Sequence, residues 1–557
     1  MDVFCNPLNL PYRYQIHKKD SGEVYACREA ADPSLICYRG KYYLFASMCC
    51  ALFASDDLVN WETFPLPDSI PWYAYAPDVR VVDDWVWIIA SSYGGAFADQ
   101  FRTQDPIHGP YEKIEGTFGG VDPNRFQDTD GRVYFYWGCS DSEPIRGREL
   151  DRKTMKSISD PVALIQTDVQ RRGYERRDPE NRTRPYLEGS WMNKWGKTYY
   201  LQYAVPGTEF ETYADGVFES ESPLGPFRPA QNNPYSFAPG SFCPGAGHGS
   251  TVDAPDGSIW HAATMRISLH HMFERRIGLF PAGVDRDGEL FCNQRFPDWP
   301  MHVSKFRADP WADPDWMILS SDAQVSATSE QPGHEAFHAV TEDIREDWTA
   351  ASSSLDESLT VRLSEICSVF AVQINMGEGP KDVSHLSDKV RGDRYIDLSP
   401  KTTRWLLEGS ADGIRWMTLC DKREVQTDLP HDLILFEDGK ELQYIRISHI
   451  SLPYGQIPCV SGLRIFGSGH GPKPDTARFS VRRRGPTEIV VDMDPAEGAT
   501  GYVVLFGHRP DKLYHSTITY KTAGCRIGAL TEGQDVFVRV DAFNHSGITR
   551  GHVQKIE

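Results

Sequence analysis

The chain is poor in cationic residues for its size and lacks a long apolar run. Its 58 Lys and Arg stand against 78 Asp and Glu, which gives a net charge of −20 at pH 7. Nucleic acids and anionic membranes are bound by clustered cations, so we expect neither as a partner. No stretch approaches the roughly 20 apolar residues of a membrane-spanning helix.

Cysteine patterns typical of metal sites are also missing. The 12 Cys are scattered, include the adjacent pair Cys49 and Cys50, and form no CxxC pair. This spacing favours free, buried thiols over a zinc site. Residues 1–15 contain neither a basic start before an apolar run nor a small-residue cleavage site, so we expect a cytoplasmic protein.

What the first half of the chain does contain is a repeat. A turn followed by alternating aromatic and apolar residues recurs five times, as RGKYYLFAS (39–47), DDWVWIIAS (83–91), DGRVYFYWG (130–138), WGKTYYLQYA (195–204) and DGSIWHAATM (256–265). Copies spaced roughly 45 to 65 residues apart, with short strands and no helical stretch between them, are typical of β-propeller blades. The sequence therefore predicts a five-bladed β-propeller.

Acidic residues recur at one stage of these copies, namely Asp32, Asp78, Asp122 and Glu188, with His248 in the fifth. Equivalent positions on the innermost strands of a propeller face its axis, so we expect these side chains around one funnel. Several carboxyl groups there cannot all ionise freely, which keeps at least one protonated. Glycosidic hydrolysis needs a carboxylate that accepts a proton and a carboxyl group that donates one. The alternative is that Asp-Pro and Glu-Gly are ordinary turns.

Five segments carry a resemblance to a known family: ADPSLI after Arg28-Glu29-Ala30, YAPDVRVV (75–82), VDPNRFQDTDGRVYFYWG (121–138), LEGSWMNKWGKTYYLQYA (187–204) and GHGSTVDAPDGSIW (247–260). Over about residues 25–300 the chain resembles glycoside hydrolase family 43, the five-bladed propeller enzymes that include β-xylosidases, α-L-arabinofuranosidases and arabinanases. The resemblance implies that Asp32 is the general base, Asp122 the modulator and Glu188 the general acid. It also implies inversion, with the Asp32 and Glu188 carboxyl groups roughly 6.5–9.5 Å apart.

The resemblance further implies substrate-binding residues. Asp78 would bind a sugar hydroxyl or hold the base, and Arg275 would reach the sugar near the modulator, unless Arg276 points inward instead. His248 would lie beside an axial cation such as Ca²⁺ or a water molecule, or be a hydrogen-bonded core histidine. Further aromatic residues are candidate walls of the sugar pocket or simply blade packing: Phe53, Trp72, Tyr75 and Trp191. No cofactor is expected to be required.

After the repeat, the chain predicts two further β domains. We place the propeller at 1–305, a packed Trp-rich linker at 306–321, a discoidin-like β-sandwich at 322–470 and a fibronectin type III-like β-sandwich at 476–557. The fold class is thus all-β, a five-bladed propeller followed by two sandwiches. The sequence leaves open whether the first sandwich binds sugar, acts as scaffold or forms a dimer contact in a homo-oligomer.

Two functions compete at this point. The first is an inverting exo-glycosidase that releases terminal α-L-arabinofuranosyl, β-xylosyl or related residues from oligosaccharides, with a galactofuranosidase-like activity on the same scaffold left open. Loops 171–184 and 206–216 are expected at the rim, where a narrow mouth favours terminal sugars. The second is a noncatalytic carbohydrate-binding propeller. The three carboxyl groups favour the first, since binding alone needs no protonated acid.

Overall fold

Strand structure dominates the computed structural model, which describes residues 1–67, 70, 75–91, 98–117, 119–392, 394–520 and 524–557. The all-β prediction is confirmed, since the described residues contain one short α-helix, α1 (Val303–Ala308). Four 3₁₀ turns lie at Gly173–Glu175, Ala336–Val340, Ser384–Lys389 and Pro453–Gly455. No helix in the described part of the chain has the length and apolar character needed to cross a bilayer.

Four antiparallel sheets follow one another along the first part of the chain, after β1 (Val3–Phe4), β2 (Arg13–Lys18) and β3 (Val24–Glu29). The first contains β4 (Ala31–Tyr38), β5 (Lys41–Ser47), β6 (Ala51–Ser55) and β7 (Glu62–Pro65). The second contains β8 (Asp78–Val82), β9 (Trp85–Ile89), β10 (Ala98–Thr103) and β11 (Glu112–Thr117). The third contains β12 (Asn124–Gln127), β13 (Val133–Trp137), β14 (Ile145–Leu150) and β15 (Val162–Ile165). The fourth contains β16 (Glu188–Trp195), β17 (Thr198–Val205), β18 (Ala214–Ser220), β19 (Arg228–Pro229) and β20 (Ser236–Phe237).

The fifth sheet combines late and early strands. It contains β21 (Gly245–Asp253), β22 (Ile259–Arg266), β23 (Arg275–Val284) and β24 (Leu290–Cys292), and β23 continues into β3 and β2. We call β4, β8, β12, β16 and β21 the first strands of the five sheets. They contact one another in a closed ring, β4 with β8, β8 with β12, β12 with β16, β16 with β21, and β21 with β4. This closed arrangement is that of a β-propeller.

Side chains on the first strands tie neighbouring sheets together, and we call these contacts inter-sheet clasps. Ser34 Oγ donates to the Pro77 carbonyl (2.6 Å) and accepts from the Val79 N–H (3.2 Å). Asn124 Oδ1 accepts from the Met192 N–H (2.9 Å). Buried polar groups of this kind must be hydrogen-bonded, so each clasp fixes one sheet against the next.

The remaining clasps complete the ring. Asp78 accepts from the Arg125 N–H, Trp191 Nε1 donates to the Thr251 carbonyl, and Ser250 Oγ accepts from the Leu35 N–H, each at 2.9–3.0 Å. The clasp residues therefore occupy equivalent places on β4, β8, β12, β16 and β21. In this order they are Ser34, Asp78, Asn124, Trp191 and Ser250.

After β25 (Met301–His302), which pairs with β1, comes a region that we call the second module, residues 317–468. Its strands are β26 (Met317–Ile318), β27 (Gln324–Ala327), β28 (Trp348–Thr349), β29 (Ser358–Met376), β30 (Arg394–Asp397), β31 (Arg404–Ser410), β32 (Met417–Asp421), β33 (His431–Ser451) and β34 (Cys459–Ser468). All of them except β30 form one sheet around the order β26-β34-β29-β33-β31-β32.

The third module, residues 478–556, has two sheets. Its strands are β35 (Arg478–Gly485), β36 (Glu488–Asp494), β37 (Gly501–Gly507), β38 (His515–Thr519), β39 (Cys525–Ile527), β40 (Val536–Asn544), β41 (Gly547–Thr549) and β42 (Gln554–Ile556). One sheet has the order β35-β36-β39, and the other is β38-β37-β40-β41 with β42 on β40. Loop 171–184, expected at the rim, contacts this module: the Gly173 N–H donates to the Leu530 carbonyl and Arg176 to Thr487.

Candidate active site

Left-handed backbone marks the start of each first strand. Asp32 (φ 50°), Ala76 (φ 47°), Asp122 (φ 51°), Gly189 (φ 63°) and His248 (φ 47°) all lie in this region, which residues other than glycine rarely adopt. The backbone pairing is interrupted by bulges beside Asp32, Gly189 and His248. Bulges re-aim side chains, and strain of this kind concentrates at functional sites.

Hydroxyl groups on or next to the second strands of the sheets hold this backbone in place. The N–H groups of Asp32 and Asp122 donate to Thr264 Oγ1 (2.8 Å) and Ser91 Oγ (2.9 Å), and the Ala76 N–H donates to Ser47 Oγ (2.7 Å). Each hydroxyl therefore satisfies a donor that the bulged strand leaves unpaired.

Asp32 is buried, with 4% of its surface exposed. Its Oδ2 accepts from Ser47 Oγ (2.6 Å) and its Oδ1 from Arg275 Nη1 (3.1 Å). Burial alone would raise the pKa of Asp32, but the Arg275 and His248 charges and the Ser47 hydrogen bond outweigh it and hold this pKa below its ordinary value. Asp32 is therefore an ionised carboxylate near neutral pH and can accept a proton.

Asp122 has the opposite electrostatic balance. Its Oδ1 accepts from Ser91 Oγ (3.3 Å) and its Oδ2 from the Gly189 N–H (3.2 Å). Burial raises the pKa of Asp122 to about 7, and the negative charges of Glu188 and Asp32 add to this effect while His248 opposes it. Asp122 thus changes its charge close to neutral pH.

Glu188 lies beside Asp122 and is held by two donors. Tyr213 donates its hydroxyl to Oε1 (2.7 Å), and the Cys139 thiol donates to Oε2 (3.3 Å). The ligating atoms of Asp122, Cys139 and Glu188 all lie within 4.8 Å of one another. The site therefore holds one carboxylate stabilised as an anion and two further carboxyl groups close together.

His248 stands between the carboxyl groups. Its Nδ1 is 3.4 Å from Asp32 Oδ1 and 3.9 Å from Asp122 Oδ2. Burial alone would lower the pKa of His248, but the charges of Asp32, Asp122 and Glu188 raise it overall. Among the residues that the structure describes, the group at this site that could hold a metal ion consists of Asp122, Cys139 and Glu188 and does not include His248. A Ca²⁺ ion on the axis stays a prediction.

The two adjacent arginines of β23 point to different partners. Arg275 binds Asp32 and Glu29, whereas Arg276 donates to Glu378 of the second module (2.6 Å) and to His431 (2.9 Å). Arg275 is thus the residue that faces the site, where it binds Asp32; its contact with a sugar near Asp122 stays a prediction. The guanidinium carbon of Arg275 lies 4.8 Å from the ring centroid of Phe273 and 5.6 Å from that of Tyr75.

Three residues expected to bind substrate lie elsewhere. Asp78 is 1% exposed, and its oxygens are taken by Asn124 (3.0 Å) and the Arg125 N–H, because the left-handed residue of its sheet is Ala76 and not Asp78. Phe53, 1% exposed, packs in the core of the first sheet. Trp191 is covered by the Arg80 guanidinium, 3.4 Å from its ring centroid. Trp72 lies outside the described residues.

The site also contains residues that the sequence reasoning missed. The first two repeat copies both end in serine, and these residues, Ser47 and Ser91, are the ones that bind Asp32 and Asp122. Cys139 directly follows the third copy. Tyr213 comes from the expected rim loop, and nothing in its local sequence marks it as a partner of Glu188.

The chain is similar to several known proteins. Residues 27–289 match the model of Glycosyl hydrolases family 43. The chain is 25% identical over 267 residues to Beta-D-galactofuranosidase xynD of Aspergillus niger, covering 42% of this chain and 72% of that protein. It is 25% identical over 247 residues to Beta-xylosidase of Xylanibacter ruminicola, covering 39% and 73%. The crystal structure of a thermostable family-43 glycoside hydrolase aligns with TM-score 0.40 and 22% identity, covering 47% and 92%.

A propeller with clustered carboxyl groups at its axis, together with these relatives, defines a glycosidase, an enzyme that hydrolyses O-glycosyl bonds. Residues 27–289, slightly less than half of the chain, thus match glycosyl hydrolase family 43.

Proposed function

We propose that the protein is an inverting, exo-acting glycoside hydrolase that releases terminal pentosyl or related sugar residues from oligosaccharides. Asp32 is the general base that activates water, Glu188 the general acid, and Asp122 the modulator of that acid. The observation that carries the proposal is the meeting of these three residues, from separate sheets, around His248.

The environments of the carboxyl groups support these roles. A general base must be ionised, and the Arg275 charge keeps Asp32 so. Asp122 carries a pKa of about 7 and accepts the N–H of Gly189, the residue next to Glu188, so its ionisation acts directly on the acid. Tyr213 and Cys139 fix the Glu188 carboxyl group from the other side.

The wider architecture belongs to the same proposal. We infer that the five sheets are five blades, that the second module is a discoidin-like sandwich and that the third is a fibronectin type III-like sandwich. The sugar is a terminal α-L-arabinofuranosyl, β-xylosyl or galactofuranosyl residue. The named galactofuranosidase and xylosidase relatives support this range, since each is 25% identical over much of the propeller.

A panel of aryl arabinofuranosides, xylosides and galactofuranosides tests the activity, and proton NMR of the first product tests inversion. Glu188→Ala should abolish cleavage of poor leaving groups and spare activated aryl glycosides in part, because these depart without protonation. Asp32→Ala should lose roughly 10²–10⁴-fold, the usual scale for a positioned base. Equal loss by Glu188→Ala on both leaving groups would remove the acid assignment, and a retained anomer would remove inversion.

A further inference from the structure

One strand of the second module, β30, belongs to the fifth sheet of the propeller and not to the sheet of its own module. β30 pairs antiparallel with β2, with Arg394 opposite His17 and Asp397 opposite Tyr14. The fifth sheet therefore has an edge strand that lies more than 300 residues after its neighbour β2 in the chain. This pairing brings Arg394 to the side of the propeller on which Arg275 and Asp32 lie.

Arg394 reaches two residues there. Its Nη1 donates to Glu29 Oε2 at 3.3 Å, and its Nη2 donates to the Tyr75 hydroxyl. Its side chain is 9% exposed, and that of Glu29 is 1% exposed. Both charges are thus withdrawn from water, and their interaction is therefore screened little.

Glu29 and Asp32 both pair with Arg275. Arg275 donates to Glu29 Oε1 through Nη2 and to Asp32 Oδ1 through Nη1. The four side chains form an alternating series, Asp32, Arg275, Glu29 and Arg394, in which two carboxylates meet two guanidinium groups. Without Arg394, Glu29 would have Arg275 as its one remaining cation in this series and would compete with Asp32 for it.

We propose that Arg394, carried by the second module, is a positioning residue of the propeller active site, which pairs with Glu29 and so weakens the competition of Glu29 with Asp32 for Arg275. The propeller and the second module are then one catalytic unit. This inference rests on the proposed role of Asp32 as the base. It adds that the base depends on a side chain from outside the propeller repeat.

The test is rescue by a second substitution in the full-length chain. Arg394→Met removes the charge while keeping a chain of similar length, and we expect kcat/KM on an activated aryl glycoside to fall about tenfold or more. Arg394→Met combined with Glu29→Gln removes the competing carboxylate as well. We expect this double variant to return to within about threefold of Glu29→Gln alone.

A matched control separates charge from structure. Arg391→Met removes an exposed arginine of the same segment, whose Nη1 donates to the Asp388 carbonyl, and should leave kcat/KM unchanged. A role of Arg394 in packing alone predicts no rescue by Glu29→Gln.

The inference is overturned if Arg394→Met matches Arg391→Met, or if the double variant is no more active than Arg394→Met. Failure of the proposed function looks different, since Asp32→Ala would then keep wild-type turnover. Should the panel contain no substrate, melting temperatures of Arg394→Met, Asp32→Asn and their combination still decide: coupled effects support the series, and additive effects refute it.

Discussion

Asp122 changes its charge near neutral pH. Because Asp122 is buried, its ionisation destabilises the folded state. Its pKa in the folded protein is about 7, above the ordinary value of 3.8. The folded state therefore binds this proton more tightly than the unfolded state, so the stabilising effect is complete below pH 3.8 and is lost as the pH rises through about 7.

Asp122→Asn should accordingly raise the melting temperature at pH 8, where the wild-type residue is forced to ionise, because Asn carries no charge at any pH. This increase in melting temperature should become smaller toward pH 4, where the wild-type Asp122 is protonated. Thermal unfolding followed between pH 4 and pH 8 measures this difference. A melting temperature shifted equally at both ends would mean that Asp122 does not titrate in this range.

Gly189 combines a left-handed backbone with close contact to the site. A Cβ atom added there would stand 2.8 Å from the His248 ring, whereas one added to Gly196, with nearly the same φ of 61°, would meet nothing within 4 Å. Both positions carry the same backbone penalty of about 1 kcal/mol for Ala.

Gly189→Ala should therefore lower kcat/KM sharply by displacing His248, and Gly196→Ala should lower only stability, by that shared penalty. Kinetics and melting curves of the two variants measure the contrast. If both variants kept wild-type kcat/KM, the spacing between Gly189 and His248 would not matter for catalysis.

At the residue scale, the sequence predicted the cluster but not all of its members. Asp32, Asp122 and Glu188 could be found because each belongs to a repeated motif with a short turn. Asp78 was misplaced by two residues, since alignment of repeats does not reveal which residue takes the left-handed backbone. Tyr213 could not be found, because its contact with Glu188 depends on the path of a loop through space.

At the scale of elements, the clasps explain how separate sheets keep a common axis. Asp78 is the acidic member of this set, and it accepts one bond from Asn124 and one from the Arg125 N–H across the gap between the second and third sheets. The repeat predicted the sheets because alternating apolar residues mark strands. The clasps vary in residue type from sheet to sheet, so no repeated letter marked them.

Asp78→Ala should destabilise the protein by about 2–4 kcal/mol, because it leaves buried donors unpaired and removes a carboxylate near the Arg80 and Arg125 guanidinium groups. KM should stay unchanged, since the oxygens of Asp78 accept from Asn124 and the Arg125 N–H. Asp83→Ala, which breaks an exposed pair with Arg152, is the matched control and should cost about 1 kcal/mol or less. A raised KM with unchanged stability would restore the sugar-binding role for Asp78.

At the scale of the whole molecule, charged groups are buried between the propeller and the second module. Glu378 accepts from Arg276 (2.6 Å) and Lys381 (2.7 Å) and lies 3.6 Å from Arg28, which also binds Asp428. The side chains of Arg276, Arg28, Lys381 and Glu378 are each at most 4% exposed. Domain borders read from composition could not predict this interface, because its partners are some 100 to 400 residues apart in the chain.

Glu378→Gln tests whether these buried charges make the two parts unfold together. Burial alone would raise the pKa of Glu378, but Lys381, Arg28 and Arg276 lower it overall, so the wild-type residue is an anion that compensates buried cations. Removing one partner of such a network costs about 3–5 kcal/mol. We expect calorimetry to give one joint transition for the propeller and the second module in the wild type, and an earlier, split transition in Glu378→Gln. The exposed Glu424→Gln should unfold like the wild type. Two separate transitions already in the wild type would mean that the interface does not couple the folding of the two parts.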